Sequence, residues 1–304
     1  MGKKSKILKG TIVVSVVAIS VMLISFISYI SKAKKQLAQI DDKVQTVQTS
    51  YGTMSYIDEG EGETLLVCHG IFGGYDQGYN SFKELSNQYR ILAPSRFGYI
   101  GTEFPKRAAV LDQAKAYEEL LDELNSDKIY VVGTSAGGVC ALRFALEYPE
   151  RVKGVILYCS NAVLAKKPDE DEIAKYLGPP KVVCNDFMMW LAGPVMKKVM
   201  NMTSETWLTV FPVSERAKGA INDGYEANLD ADKNYDHYTL EKMETPVLIL
   251  HAKDDQMASY KKIEAMVPRF SNVTFISFEE GGHMMTGNEE EVKKALVNFI
   301  SKTK

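Results

Sequence analysis

Cysteine is scarce in this chain. Of 304 residues only four are cysteines, Cys68, Cys140, Cys159 and Cys184, and no two have the spacing of a zinc site or a redox pair. Cys68 and Cys159 end the apolar runs 64–68 and 155–159, and Cys140 follows a glycine-rich turn, so these three read as small buried hydrophobes. A disulfide would have to use Cys184, for which the sequence offers no partner. An excess of charge is also missing. Thirty-six Lys and Arg stand against 39 Asp and Glu, a formal net charge of −3 with both signs interspersed, which excludes the basic footprint needed to neutralise nucleic-acid phosphates. There is no internal repeat and no low-complexity segment, which removes solenoids and disordered tracts. What remains, 45% hydrophobic and 25% charged residues, is the profile of a globular protein with one large core.

One stretch departs from that profile. Residues 11–30 carry no charge and are dominated by Ile, Val, Leu, Met and Phe, the run needed to cross about 30 Å of hydrocarbon as a helix. Lys3, Lys4, Lys6 and Lys9 precede it, so a cleaved secretory signal competes with an uncleaved anchor. The run exceeds a signal h-region of about 7–15 residues, and the only small-x-small site after it, Ser31 to Ala33, leads straight into more lysines. The reading is a single-pass anchor at about 11–30. Lys32, Lys34 and Lys35 follow the span, so the positive-inside rule rests on one lysine and the terminal amine; that difference puts the amino terminus in the cytoplasm and the rest outside, where buried thiols are safer than exposed ones. Residues 1–48 are therefore expected to form tail, anchor and a short helical or irregular stalk, and 49–304 one domain.

Within 49–304, short apolar runs alternate with longer amphipathic stretches, the pattern of strand–helix units around a mostly parallel sheet. Strands are expected at 52–57, 64–68, 89–93, 128–133, 154–159, 246–250 and 273–278, several of them continuously apolar as strands covered on both faces are. Leu111, Ala114, Tyr117, Leu120, Leu121 and Leu124 recur at helical spacing over 110–124, as do Val292, Leu296, Phe299 and Ile300 over 289–300. The alternation breaks off at about 161–242, which reads as an inserted helical cap.

The motif that carries chemistry is Gly133-Thr-Ser135-Ala-Gly137, directly after the apolar run 128–132 and directly before the helical run 139–148. A sharp strand-to-helix turn lifts a serine hydroxyl above a sheet, and small residues are needed on both sides because that turn is crowded. Five residues alone are a weak signal; the strand before and the helix after make it much stronger. With these residues the chain resembles the α/β-hydrolase family from about residue 50 to the end.

The resemblance implies an α/β fold with helices on both faces of the sheet, and it assigns roles. Ser135 would be the nucleophile. His69-Gly-Ile-Phe-Gly73 is similar to the turn that in this family supplies one oxyanion amide, making the Ile71 and Ala136 N–H groups the implied donors, while His69 itself stabilises the turn. The acid follows a late strand, here in His251-Ala-Lys-Asp254-Asp255. If Ala252 stands where the family usually has glycine, Asp255 is the match and Asp254 a solvated neighbour; both remain candidates at this point. Gly281-Gly-His283 supplies the general base, and the order Ser135, Asp255, His283 is the family's own. His251 is read as structural, His237 as a cap residue without a role, and Arg96 and Gly98 as structural support near the site. No metal or organic cofactor is called for, and a serine rather than an aspartate at the elbow disfavours dehalogenase and epoxide-hydrolase chemistry.

The implied reaction is serine attack on a carbonyl, an acyl-enzyme and its hydrolysis, with a carboxylic ester as substrate. Amidase, peptidase or acyltransferase chemistry would keep the same triad, and a ligand sensor with little turnover would keep the same pocket. The cap is rich in methionine and aromatic residues, which suits an acyl-binding lid for lipid esters and equally the small core that any cap needs. Phe72, Met189, Trp190, Trp207 and Met284 are the substrate-binding candidates. The expected partners are a small-molecule or lipid ester and, through the amino-terminal helix, the membrane; the sequence points to no protein partner.

Overall fold

A computed structural model describes residues 2–303, with side chains described from Lys9 onward; Lys3, Lys4 and Lys6 of the expected positive tail lie outside the described side chains. The chain opens with helix α1 (Gly2–Leu37), 36 residues without a break, among the described residues the one helix long and apolar enough to cross a membrane. A 3₁₀ turn (Ala38–Lys43) then leads into strands β1 (Val44–Thr49), β2 (Gly52–Glu59) and β3 (Glu63–Cys68), helix α2 (Tyr75–Phe82) and strand β4 (Tyr89–Pro94). Helix α3 (Val110–Glu123), β5 (Ile129–Thr134), α4 (Gly137–Glu147) and β6 (Val152–Tyr158) continue the alternation. Four helices follow without a strand, α5 (Asp186–Met200), α6 (Ser204–Leu208), α7 (Ala217–Tyr225) and α8 (Ala227–Lys233), and then β7 (Val247–Ala252), α9 (Tyr260–Met266), β8 (Val273–Phe278) and α10 (Glu289–Lys302) complete the chain.

The eight strands form one sheet in the order β1-β2-β4-β3-β5-β6-β7-β8. The β1–β2 and β2–β4 pairs are antiparallel and every other pair is parallel. Successive strand residues point to opposite faces, and the two faces bury different clusters. Leu66, Cys68 and Val131 meet Tyr117 and Leu120 of α3 and Leu142 and Phe144 of α4. Leu65, Val67 and Val132 meet Tyr79 and Phe82 of α2 and Leu296, Phe299 and Ile300 of α10. Two covered faces are why residues 65–68 of β3 and 129–132 of β5 are continuously apolar rather than alternating.

The expected helical or irregular stalk at 31–48 is helical over 31–43 and is corrected at 44–48, which form a strand. Helix α1 runs on to Leu37 because its last turns have something to pack on: Ala33 is buried, the Phe26 ring lies 5.3 Å from Phe187 and 5.7 Å from Trp190, and Tyr29 lies 5.1 Å from Phe211. Residues 44–49, Val-Gln-Thr-Val-Gln-Thr, then form an edge strand with Val47 opposite Met54. Its two valines are three residues apart, so no period of two marked it as a strand.

Candidate active site

Strand β5 and helix α4 are joined by two residues, and one of them is strained. Ser135 has φ +50°, a left-handed conformation that costs a non-glycine residue energy and persists only where its surroundings hold it. They do: the Ser135 N–H donates to Tyr158 O at 3.1 Å, and Ser135 O accepts from Gly138 N at 3.0 Å and Asn161 N at 3.1 Å. A Cβ at Gly137 would lie 2.1 Å from Cys68 O, and one at Gly133 would lie 2.5 Å from Gly138 Cα. The turn therefore demands the small residues that the motif supplies.

Three side chains from distant parts of the chain meet above this turn. Ser135 Oγ lies 2.9 Å from His283 Nε2, and His283 Nδ1 lies 2.8 Å from Asp255 Oδ2. An ionised carboxylate can only accept, so Nδ1 carries the proton and Nε2 is left to accept from the serine hydroxyl. Asp255 and His283 are buried while Ser135 is half-buried. The other Asp255 oxygen accepts from Met257 N at 2.8 Å and Ala258 N at 3.0 Å. Burial alone would raise the Asp255 pKa, but hydrogen bonds from His251, His283 and the Ala258 amide outweigh it and hold the carboxyl well below the usual range. The group stays ionised wherever histidine can serve as a base.

The turn His69–Gly73 sits against the serine, since a Cβ at Gly70 would lie 3.2 Å from Ser135 Cβ. It is closed by Gly73 N to Gly70 O at 3.2 Å and held by Gln77 Oε1, which accepts from Gly70 N at 2.8 Å. Among the described residues no backbone carbonyl takes up the N–H of Ile71 or Ala136. His69 donates from Nδ1 to Gly70 O at 2.7 Å and accepts at Nε2 from Arg96 N at 2.9 Å; burial and the Arg96 charge keep its pKa well below the ordinary histidine value. It is a neutral brace. His251 places Nε2 2.9 Å from Ala258 O and 3.3 Å from Asp255 Oδ2, fully buried beneath the carboxylate.

Residues 63–182 match the profile described as alpha/beta hydrolase fold. The uncharacterized hydrolase YcgS of Bacillus subtilis is 32% identical over 145 residues, 46% of this chain and 50% of that protein. The 2-hydroxy-6-oxo-6-phenylhexa-2,4-dienoate hydrolase of Burkholderia cepacia is 36% identical over 110 residues, 33% of this chain and 37% of that protein. The chain thus spans half or less of the length of these curated relatives. A solved bacterial membrane phospholipase A, described as a virulence factor, shares the fold at a TM-score of 0.65 with 19% identity, covering 98% of this chain and 99% of that one. The chain has the α/β-hydrolase fold.

In this α/β-hydrolase fold several contacts that no local sequence pattern reports hold the site together. Asp254 is exposed, as expected, yet its carboxylate accepts from Gly282 N at 2.8 Å and Gly281 N at 3.3 Å. The adjacent aspartates therefore divide the work, Asp255 on the His283 ring and Asp254 on the backbone of the two glycines before it. Tyr158 OH donates to Met284 O at 3.0 Å, and Asn201 Nδ2 donates to Gly281 O at 3.0 Å. Two buried ion pairs tie the helices between β6 and β7 to the His69–Gly73 turn. Arg216 is bidentate to Asp76 at 2.9 and 2.8 Å and donates to Gly73 O at 2.7 Å. Arg96 is bidentate to Asp223 at 2.6 and 2.7 Å and donates from Nε to His69 O at 3.0 Å. Each pair joins residues more than 120 positions apart, and no local pattern reports such a pairing.

The substrate-binding candidates fall into one apolar cluster. Phe72, Met189 and Trp207 are buried with Leu208, Phe211 and Val213, and Ile71, Trp190 and Met284 pack against them. Within it, Met189 and Trp207 are core side chains, Trp190 touches the amino-terminal helix, Phe72 belongs to the His69–Gly73 turn and Met284 follows His283.

Proposed function

We propose that this α/β hydrolase is a serine esterase, held to a membrane by α1, that cleaves carboxylic esters of lipid or acyl type. The observation that carries the reading is the relay Ser135–His283–Asp255 at 2.9 and 2.8 Å. A free serine hydroxyl is a poor nucleophile at neutral pH, and a base in hydrogen-bond reach, oriented by a buried carboxylate, is what activates it. Ser135 Oγ attacks the ester carbonyl as His283 takes its proton. The amides of Ile71 and Ala136 stabilise the tetrahedral oxyanion. The protonated imidazole then gives its proton to the leaving alcohol, and water activated by the same imidazole releases the acid from Ser135.

The lipid part of the reading rests on two features. Helix α1 carries an apolar run of the length that spans hydrocarbon, and the cluster between α1 and the site is built from methionine and aromatic side chains that accept varied apolar shapes. The phospholipase that shares the fold is itself described as a membrane protein. A second reading, hydrolysis of a 2-hydroxy-6-oxodienoate, draws on the likeness to the Burkholderia cepacia hydrolase. A graded series of p-nitrophenyl acyl esters decides between them. The esterase reading expects turnover that rises with acyl length beyond butyrate, at least about tenfold, since each buried CH₂ contributes about 0.8 kcal/mol. A flat series counts against the lipid assignment, and an inert series with turnover of the dienoate selects the second reading.

A further inference from the structure

Helix α5 has two apolar faces, and only one has a partner inside the protein. Met189 and Gly193 point inward and are buried, and Met189 belongs to the cluster against which Ile71 and Met284 pack. On the outer side Leu191, Pro194 and Val195, at i, i+3 and i+4, form one stripe; Leu191 is 53% and Val195 67% exposed. The stripe continues the row Phe187 and Trp190, which holds Phe26 of α1.

The length of α1 fixes what faces that stripe. Its apolar run is residues 11–30, but the protein grips it from Phe26 onward. The part of the run that precedes this grip, residues 11–25, is about 22 Å long at 1.5 Å per residue, short of the roughly 30 Å hydrocarbon core. If α1 spans, its gripped turn must lie in hydrocarbon too. Ile27, one residue past Phe26, is 64% exposed on the side turned away from the protein, where only lipid suits it. Whatever depth Phe26 reaches, Phe187 and Trp190 share. The first charges after the run, Lys32, Lys34 and Lys35, and Lys197 and Lys198 in the last turn of α5, provide the cationic edge of an interfacial helix.

We infer that α5 lies in the membrane surface, its Phe187–Leu191–Val195 stripe at the boundary of headgroups and acyl chains and its inner face roofing the catalytic serine. This rests on the reading of α1 as an anchor. An acyl ester would then pass from the bilayer to Ser135 along the apolar cluster under α5 without crossing bulk water.

The test places a nitroxide at Val195→Cys, at Val17→Cys in mid-span, or at Glu150→Cys beside the amino-terminal end of β6. The full chain carries Cys184→Ser and sits in phosphatidylcholine–phosphatidylglycerol vesicles; the other three cysteines are buried. All three label sites are exposed, so labelling leaves the packing intact. Collisions with oxygen and with a soluble nickel chelate are compared by electron spin resonance. Positions 195 and 17 are expected to favour oxygen and position 150 nickel. Position 195 behaving like 150 while 17 favours oxygen would overturn the placement of α5 and leave the anchor standing. Nickel contact at position 17 would overturn the anchor reading, and α5 with it. Exclusion of both reagents at position 195 would show a second copy or another protein on the stripe, and also overturns it.

Discussion

His283→Ala is expected to lower kcat on a p-nitrophenyl ester by about 10⁶ with KM within a fewfold of the parent. Triad members act as one unit, and removing the base alone costs about as much as removing all three groups. The structure gives the physical reason. Nε2 at 2.9 Å is the group positioned to take the Ser135 proton, whereas His69 has both ring nitrogens engaged with Gly70 O and Arg96 N and His251 is turned to Ala258 O. Neither of these imidazoles can substitute. On the proposed mechanism a residual rate, assigned to the Ile71 and Ala136 amides and to binding, would remain above the rate in water. Single-turnover kinetics with a short, soluble ester check this; a loss below about tenfold would mean that another group activates the serine.

Asp255→Asn should cost about 10⁴ in kcat, because an amide facing Nδ1 can donate and so leaves the ring in the wrong tautomer for accepting the serine proton. The same change at the neighbouring position separates the two aspartates. Asp254→Asn keeps an oxygen for the shorter bond, from Gly282 N, loses only the longer one from Gly281 N and leaves the His283 ring untouched, so its cost should be about tenfold or less. Asp254→Ala removes that acceptor and loosens the histidine turn, with a larger effect on kcat than on KM, as expected of misplacement by a fraction of an ångström. A comparison of kcat for the three variants at one pH decides the assignment. Equal losses for the two asparagine variants would contradict it.

The elbow was legible because its constraint is local. A strand, a crowded turn and a helix occupy adjacent residues, and small side chains at 133, 136, 137 and 138 are the direct trace of that crowding. The sheet was legible for a related reason: β3 and β5 are covered on both faces, so burial writes itself into the sequence as unbroken apolar runs. The edge strand β1 has a neighbour on one side only, and its Val44 and Val47, packed on opposite faces of the sheet, carry too little apolar pattern to mark it. Asp254 was misjudged as merely solvated because exposure of a carboxylate does not reveal which backbone amides reach it. The pairs Arg216–Asp76 and Arg96–Asp223 were invisible for a different reason. A buried arginine is tolerated only where its partner is also buried, and that partner is chosen by the fold, more than a hundred residues away. The grip of Phe187 and Trp190 on Phe26 belongs to the same class: both sides read as apolar, and apolarity alone does not say what touches what.

The most direct test of the account is covalent. The full chain in detergent is exposed to a fluorophosphonate, digested, and the modified peptide identified by mass spectrometry, with Ser135→Ala as control. The account predicts one adduct, on the peptide that contains Ser135, formed together with loss of ester turnover and missing in the variant. A folded parent that hydrolyses esters yet takes up no fluorophosphonate, or an adduct that survives in Ser135→Ala, would contradict a serine mechanism at this site.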